Sequence, residues 1–165
     1  MHTTTQVKAH ASRLRNVLSE MGHEIKHSHC LEALAHVEGH PDWNSFTAHL
    51  NKNLQRAEQY LDEVLEAEEE LSYEKFIRRG EKKYFVSFTE AQFLRDMRDI
   101  REDYGNYVRR DFLGCVAAEK READPRTQNM LRYVWRGIFD KSEVLITMGI
   151  YEEDGTYYMD GCGYQ

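Results

Sequence analysis

Apolar residues recur at helical spacing through the first part of the chain. Val7, Leu14, Val17, Leu18 and Met21 share one side of a helix expected over residues 5–21, which Gly22 ends. A second helix is expected over 29–38. Ser28 is placed to cap it, Leu31, Leu34 and Ala35 lie on its apolar side, and Gly39 is its left-handed stop. His40-Pro41 then breaks the chain. Asp42 caps a further short helix whose Trp43, Phe46 and Leu50 fall on one face. A longer helix follows over 54–71, where Leu54, Ala57, Leu61, Val64, Leu65 and Leu71 form a stripe close to heptad spacing.

Beyond Gly80 the pattern shifts. Residues 83–88, KYFVSF, alternate as a strand does, and Thr89 is placed to cap a helix over 90–103 that turns Phe93, Leu94, Met97 and Ile100 inward. After Gly105-Asn106, helical spacing of Val108, Phe112, Cys115 and Val116 predicts a helix over 107–122. Asp124-Pro125 opens another that buries Met130, Leu131, Val134, Trp135 and Ile138. Two strands, over 144–151 and 156–162, are joined at Glu153-Asp154-Gly155, a good hairpin turn. The fold class expected is α+β. A small N-terminal helical bundle (residues 1–52) leads to a long acidic connecting helix (53–72). A C-terminal domain (73–165) then packs helices on a small antiparallel sheet.

One stretch carries a likeness to a known family. Ile25, His27, Ser28, Cys30, Leu31, Glu32, Ala35, Gly39, Asp42, Trp43, Asn44 and Leu50 stand in the order and separation of a His-Ser-x-x-Leu-Glu element followed by Gly-x-x-Asp-Trp-Asn. The run resembles the small helical domain at the N-terminus of some bacterial proteins labelled as glyoxalase-superfamily-related, a domain also found in plasmid and phage proteins. The resemblance implies a helical architecture and, by analogy, an interaction module. Nothing after Asn53 resembles a glyoxalase metal-binding βαβββ module, so no enzyme activity comes with it.

Charge sharpens the picture. The chain has 165 residues and a net charge of −7. Residues 1–57 hold six Lys and Arg against five Asp and Glu, whereas 58–165 hold sixteen against twenty-four. A balance of −8 over the C-terminal part has the wrong sign for gripping a phosphate backbone, although basic pairs stand at Arg78-Arg79, Lys82-Lys83 and Arg109-Arg110. Direct nucleic-acid binding is therefore not expected as the main activity, and Lys26, Lys52 and Arg56 of the helical module are the residues for that weaker alternative. No apolar run approaches the length of a membrane span. The opening Met-His-Thr-Thr-Thr lacks the regions of a signal peptide, and three widely spaced cysteines, Cys30, Cys115 and Cys162, suit a reducing cytoplasm.

Candidate chemistry is sparse. Glu58, Asp62, Glu63, Glu66, Glu68, Glu69 and Glu70 load the outer faces of the helix over 54–71, either as the solvated faces of a connector or, through Glu58, Asp62, Glu63, Glu66, Glu69 and Glu70, as a partner-binding surface that imitates nucleic-acid phosphates. All eight histidines lie in the first 49 residues. His36 and His40, one turn apart, are the metal alternative, but no two-plus-two ligand pattern accompanies them. Cys30 with His27 lacks a third group and an inward-facing thiol is not expected there. No Walker, GxGxxG, HExxH or GxSxG sequence occurs. Cys162 sits in a glycine-rich tail that reads as a frayed strand end.

These observations point to a cytoplasmic, non-enzymatic protein-binding protein without a cofactor. It is expected to be of phage or plasmid type, docking on a larger host protein or complex, with inhibition of a nucleic-acid-handling or defence complex as the sharpest form. A histidine-cluster metal enzyme or regulator is the alternative. The near-heptad stripe would also allow two copies to pair as a homodimer.

Overall fold

A computed structural model describes residues 3–165. It contains α1 (Thr4–Glu20), α2 (His27–Val37), α3 (Trp43–Glu69), α4 (Tyr73–Ile77), α5 (Glu90–Tyr104) and the strands β1 (Tyr107–Ala117), β2 (Leu131–Phe139), β3 (Glu143–Glu153) and β4 (Thr156–Tyr164). The fold class is α+β, with one antiparallel sheet in the order β1-β2-β3-β4. The chain divides into two compact units, the first ending at Arg56 and the second running from Ala57 to Gln165. Helix α3 supplies its first part to one unit and its remainder to the other.

In the first unit, Thr3 caps α1 through a reciprocal pair of hydrogen bonds with Gln6. Its core is built from Val7, Ala35, Phe46 and Leu50, with Ala11, Cys30 and Leu31 beside them. Helix α2 starts earlier than its apolar pattern suggests. Lys26 takes the N-cap position, its carbonyl accepting from His29 and Cys30, so Ser28 lies inside the first turn and caps nothing. The Cys30 thiol points inward beside Leu31, contrary to expectation, because the helix turns both neighbours toward α1. The two helices expected at 43–50 and 54–71 are one, ending at Glu69, since no breaker separates Leu50 from Leu54 and the apolar stripe continues across the join.

In the second unit, Ala57, Tyr60, Leu61, Val64 and Ala67 of α3 pack with Phe76, Phe93 and Met97 over one face of the sheet. That face carries Tyr133, Trp135 and Phe139 of β2 and Val144, Ile146, Met148 and Ile150 of β3. The β3–β4 hairpin turns through Asp154 and Gly155, with φ of 51° and 76°, the two left-handed residues of a type I′ turn.

Three expected elements are different in the structure. The stretch expected as a helix over 107–122 is strand β1. Of the four residues that suggested a helix, Phe112 and Cys115 face the core while Val108 and Val116 are exposed, and bulges after Tyr107 and after Phe112 break the period of two that would have marked a strand. The helix expected from Asp124 is a short 3-10 turn, Pro125–Gln128, followed by strand β2. Its inward residues are Tyr133, Trp135 and Phe139, while Val134 and Ile138 sit half-buried on the other face, and apolar residues on both faces erase the period of two. The strand expected over 83–88 is a 3-10 turn at Lys82–Tyr84 and a loop. The chain folds back so that the Phe85 ring covers Gly80, where an added Cβ would lie 2.0 Å from the ring. Among the described residues one isolated backbone bridge, from Gly80 to Met159, pairs the chain just before that region with the sheet.

Candidate functional site

The residues shared with the helical-domain resemblance can be placed first. Glu32 of α2 reaches across to accept from the Trp43 amide at 2.8 Å, and Asp42 accepts from the Ser45 amide at 2.7 Å. Two carboxylates thus serve unpaired amides at the start of α3, and the Ser45 amide holds the Asp42 carboxyl below its ordinary range. Gly39, at φ 81°, makes the turn between the helices. The Leu-Glu and Gly-x-x-Asp-Trp elements are therefore the joint of a helical hairpin. Among the histidines, His40 stacks on Phe46 with 4.9 Å between ring centroids and lies 5.1 Å from His49, which bonds to Asn53. His36 is exposed on α2. Among the described residues no three His, Cys, Asp or Glu side chains converge as metal ligands. His2 lies outside the described residues.

Most of the acidic residues singled out on α3 turn to cations of their own unit. Glu58 accepts from Arg110 at 2.6 and 2.8 Å and from the buried indole of Trp135 at 2.7 Å, and Asp62 joins Arg110 at 2.7 Å. Glu63 takes Arg79 in a two-pronged pair at 2.6 and 2.7 Å, with Arg78 at 3.1 Å. Those hydrogen bonds pull the Glu63 carboxyl down to about 2. Glu66 and Glu70 share Lys75, at 3.0 and 2.7 Å. Glu69 is exposed, and its main-chain carbonyl, with that of Glu68, accepts from Arg101. Among the basic residues that cluster in the sequence, Arg78, Arg79 and Arg110 are thus partners of the acidic helix.

Glu68, expected with the other acids on the outer faces of the helix, turns inward instead. It sits on the inner side of the last turn of α3, one residue beyond the buried Ala67. Its Oε2 accepts from the Tyr164 hydroxyl at 2.5 Å, while Oε1 is buried and meets no donor among the described residues. Burial pushes this carboxyl up to about 7, against the opposing hydrogen bond of Tyr164 and the charge of Arg101. Burial also pushes the Tyr164 hydroxyl and the Cys162 thiol up, and Glu68 adds to both shifts. Residue type does not separate Glu68 from the six acids around it. Its heptad position between Leu61, Val64 and Leu71 is the only hint that it faces inward.

Glu68 opens on a hollow of about 500 Å³ walled by α5, β4 and the segment 84–88. Phe76, Phe85, Phe88 and Tyr104 give it aromatic walls, and Asp96, Asp99 and Asp103 of α5 stand along it at helical spacing. Asp160 also lines it but is committed to Arg126, whose guanidinium is held by Asp124 as well and lies 3.9 Å over the Tyr84 ring. Among the described residues no ion pair engages Asp96, Asp99 or Asp103. Glu68 also borders a second hollow of about 350 Å³ on the Arg101 and Arg110 side. Tyr164 and Cys162 line the first hollow and not the second, which places the Glu68–Tyr164 pair on the aromatic side. This arrangement suits an organic cation: a buried carboxyl, π faces and an acidic mouth.

Fold and site together define a two-unit α+β protein with a helical N-terminal unit and an acidic, aromatic hollow in its sheet-bearing unit. The sequence matches the family described as glyoxalase superfamily protein over residues 1–67, that is through α1, α2 and α3 as far as Ala67. The match stops short of Glu68 and of the whole sheet. No curated protein matches the chain. Among the described residues no helix is long and apolar enough to cross a membrane.

Proposed function

We propose that the protein is a non-enzymatic binding protein that docks on a basic segment of a larger protein through its acidic sheet-bearing unit. The observation that carries this reading is the row Asp96, Asp99 and Asp103, left unpaired by the unit's own cations and set along an aromatic hollow with Glu68 inside. The six acids first singled out on α3 mostly hold the unit together, so α5 is the better docking face. Catalysis is the weaker reading of the hollow. A single carboxyl is poised near neutrality there, while the neighbouring thiol and phenol are pushed away from ionisation rather than toward it. Where the basic segment belongs to a nucleic-acid groove, docking amounts to inhibition. That is the form of the reading suggested by the acidic charge and by the likeness of the N-terminal unit to domains of mobile-element proteins.

Affinity capture from a bacterial lysate, at low and at high salt, tests it. One dominant protein should be retained by the full chain, lost at high salt, and lost to the triple variant Asp96→Asn, Asp99→Asn, Asp103→Asn. Capture that is unchanged by the triple variant would sink the reading.

A further inference from the structure

The hollow of the second unit is more specific than an acidic patch. Among its lining groups is the Glu68 carboxyl, whose Oε1 is buried and has no donor among the described residues, whereas its other oxygen is occupied by Tyr164. A buried acceptor without a partner is costly, and a site that leaves one open is completed by a donor from outside. The walls around it are flat and aromatic, at Phe85, Phe88 and Tyr104, and the mouth is anionic at Asp99 and Asp103. One chemical group satisfies all three features. A guanidinium brings several N–H donors in a plane, stacks on aromatic rings and pairs with more than one carboxylate. An ammonium supplies charge and donors but no plane to stack.

Resting on the protein-binding reading above, we propose that this hollow seats an arginine side chain of the partner. Its guanidinium donates to Glu68 Oε1, its plane lies against the aromatic wall, and its remaining donors face Asp99 and Asp103. The volume, about 500 Å³, admits one such side chain together with the backbone that carries it. Glu68 acts here as the anchor, and the α5 aspartates steer and hold the approaching cation. The site lies beyond the stretch that matches the family at residues 1–67, and the α3 turn that delivers Glu68 begins where that match ends.

The test uses the folded full chain and three probes of one shape: n-butylguanidinium, n-butylammonium and neutral N-butylurea. Binding is followed by two-dimensional amide NMR and calorimetry. The guanidinium should bind at least tenfold more tightly than the urea and severalfold more tightly than the ammonium, moving amides of α5 and β4. Glu68→Gln should weaken it about tenfold, Asp99→Asn with Asp103→Asn severalfold, and the surface control Glu122→Gln not at all. The exposed α5 pair serves should Glu68→Gln perturb the fold. Equal binding of the urea overturns the proposal, and equal binding of the ammonium overturns the choice of arginine.

Combination with the capture experiment separates the two readings. Probe binding by a chain that captures no basic protein overturns the partner's side chain as occupant and leaves a free guanidinium compound. A captured partner indifferent to Glu68→Gln overturns the arginine seat while the docking reading stands.

Discussion

A carboxyl cut off from water keeps its proton longer, and Glu68 turns that into a measurable slope. Its folded value stands at about 7 against an ordinary 4.5. With the folded value raised, the stabilisation is complete below about pH 4.5 and is lost as pH climbs through about 7. Its full size is about 3 kcal/mol, since each pH unit between the two values is worth about 1.36 kcal/mol. The amide of Glu68→Gln keeps the shape and still accepts from Tyr164, but does not titrate. The difference in melting temperature between Glu68→Gln and wild type should therefore grow in favour of the variant between pH 5 and pH 8. Burial pushes the Cys162 thiol and the Tyr164 hydroxyl up, so both keep their protons across that range in either protein and add no slope of their own. Parallel melting curves across that range would show that Glu68 is hydrated.

At the scale of elements, α3 is joined to the sheet by a polar node inside an apolar layer. Glu58 holds both the indole of Trp135, which is 0% exposed, and the Arg110 guanidinium of β1. Removing the carboxylate leaves the buried Trp135 indole without its acceptor and takes one of two carboxylates from Arg110, which keeps Asp62. Glu58→Ala should cost about 2–3 kcal/mol in a urea titration, and Glu58→Gln, which still accepts from one donor, about 1 kcal/mol. A loss below about 1 kcal/mol for the alanine variant would mean that water replaces the carboxylate there. This node shows what the sequence reveals and what it hides. Helices α1, α2 and α5, the two halves of α3 and the β3–β4 hairpin are legible because one face is apolar and the turn residues carry their own chemistry, as at Gly39, Thr89 and Asp154-Gly155. Strands β1 and β2 are illegible because bulges and a two-sided apolar pattern erase the period of two. The acids of α3 are legible as a group, yet only tertiary pairing shows which hold Arg110, Arg79 or Lys75 and which one, Glu68, faces a hollow.

The molecule as a whole has two separate cores of very different quality. The second is built from large side chains, with Trp135, Phe93, Leu61, Ile146 and Met148 essentially inaccessible. The first relies on Phe46 and Leu50 among small residues, Val7, Ala11, Cys30 and Ala35, with Leu31 at its edge. Small cores bury too little to stand large losses, and a Phe→Ala change in a core typically costs about 3–5 kcal/mol. Phe46→Ala should therefore open the first unit without opening the second. Hydrogen exchange read by mass spectrometry should show α1, α2 and the first turns of α3 exchanging roughly a hundredfold or more faster than in wild type, the rate equivalent of about 3 kcal/mol. Peptides from β2 and β3 should stay within about threefold of their wild-type rates, because their opening draws on a core that Phe46 does not enter. The reciprocal variant, Trp135→Ala, should release the strands and α5. Uniform acceleration of both units by Phe46→Ala would instead mean that α3, which runs through both, couples them into one cooperative fold.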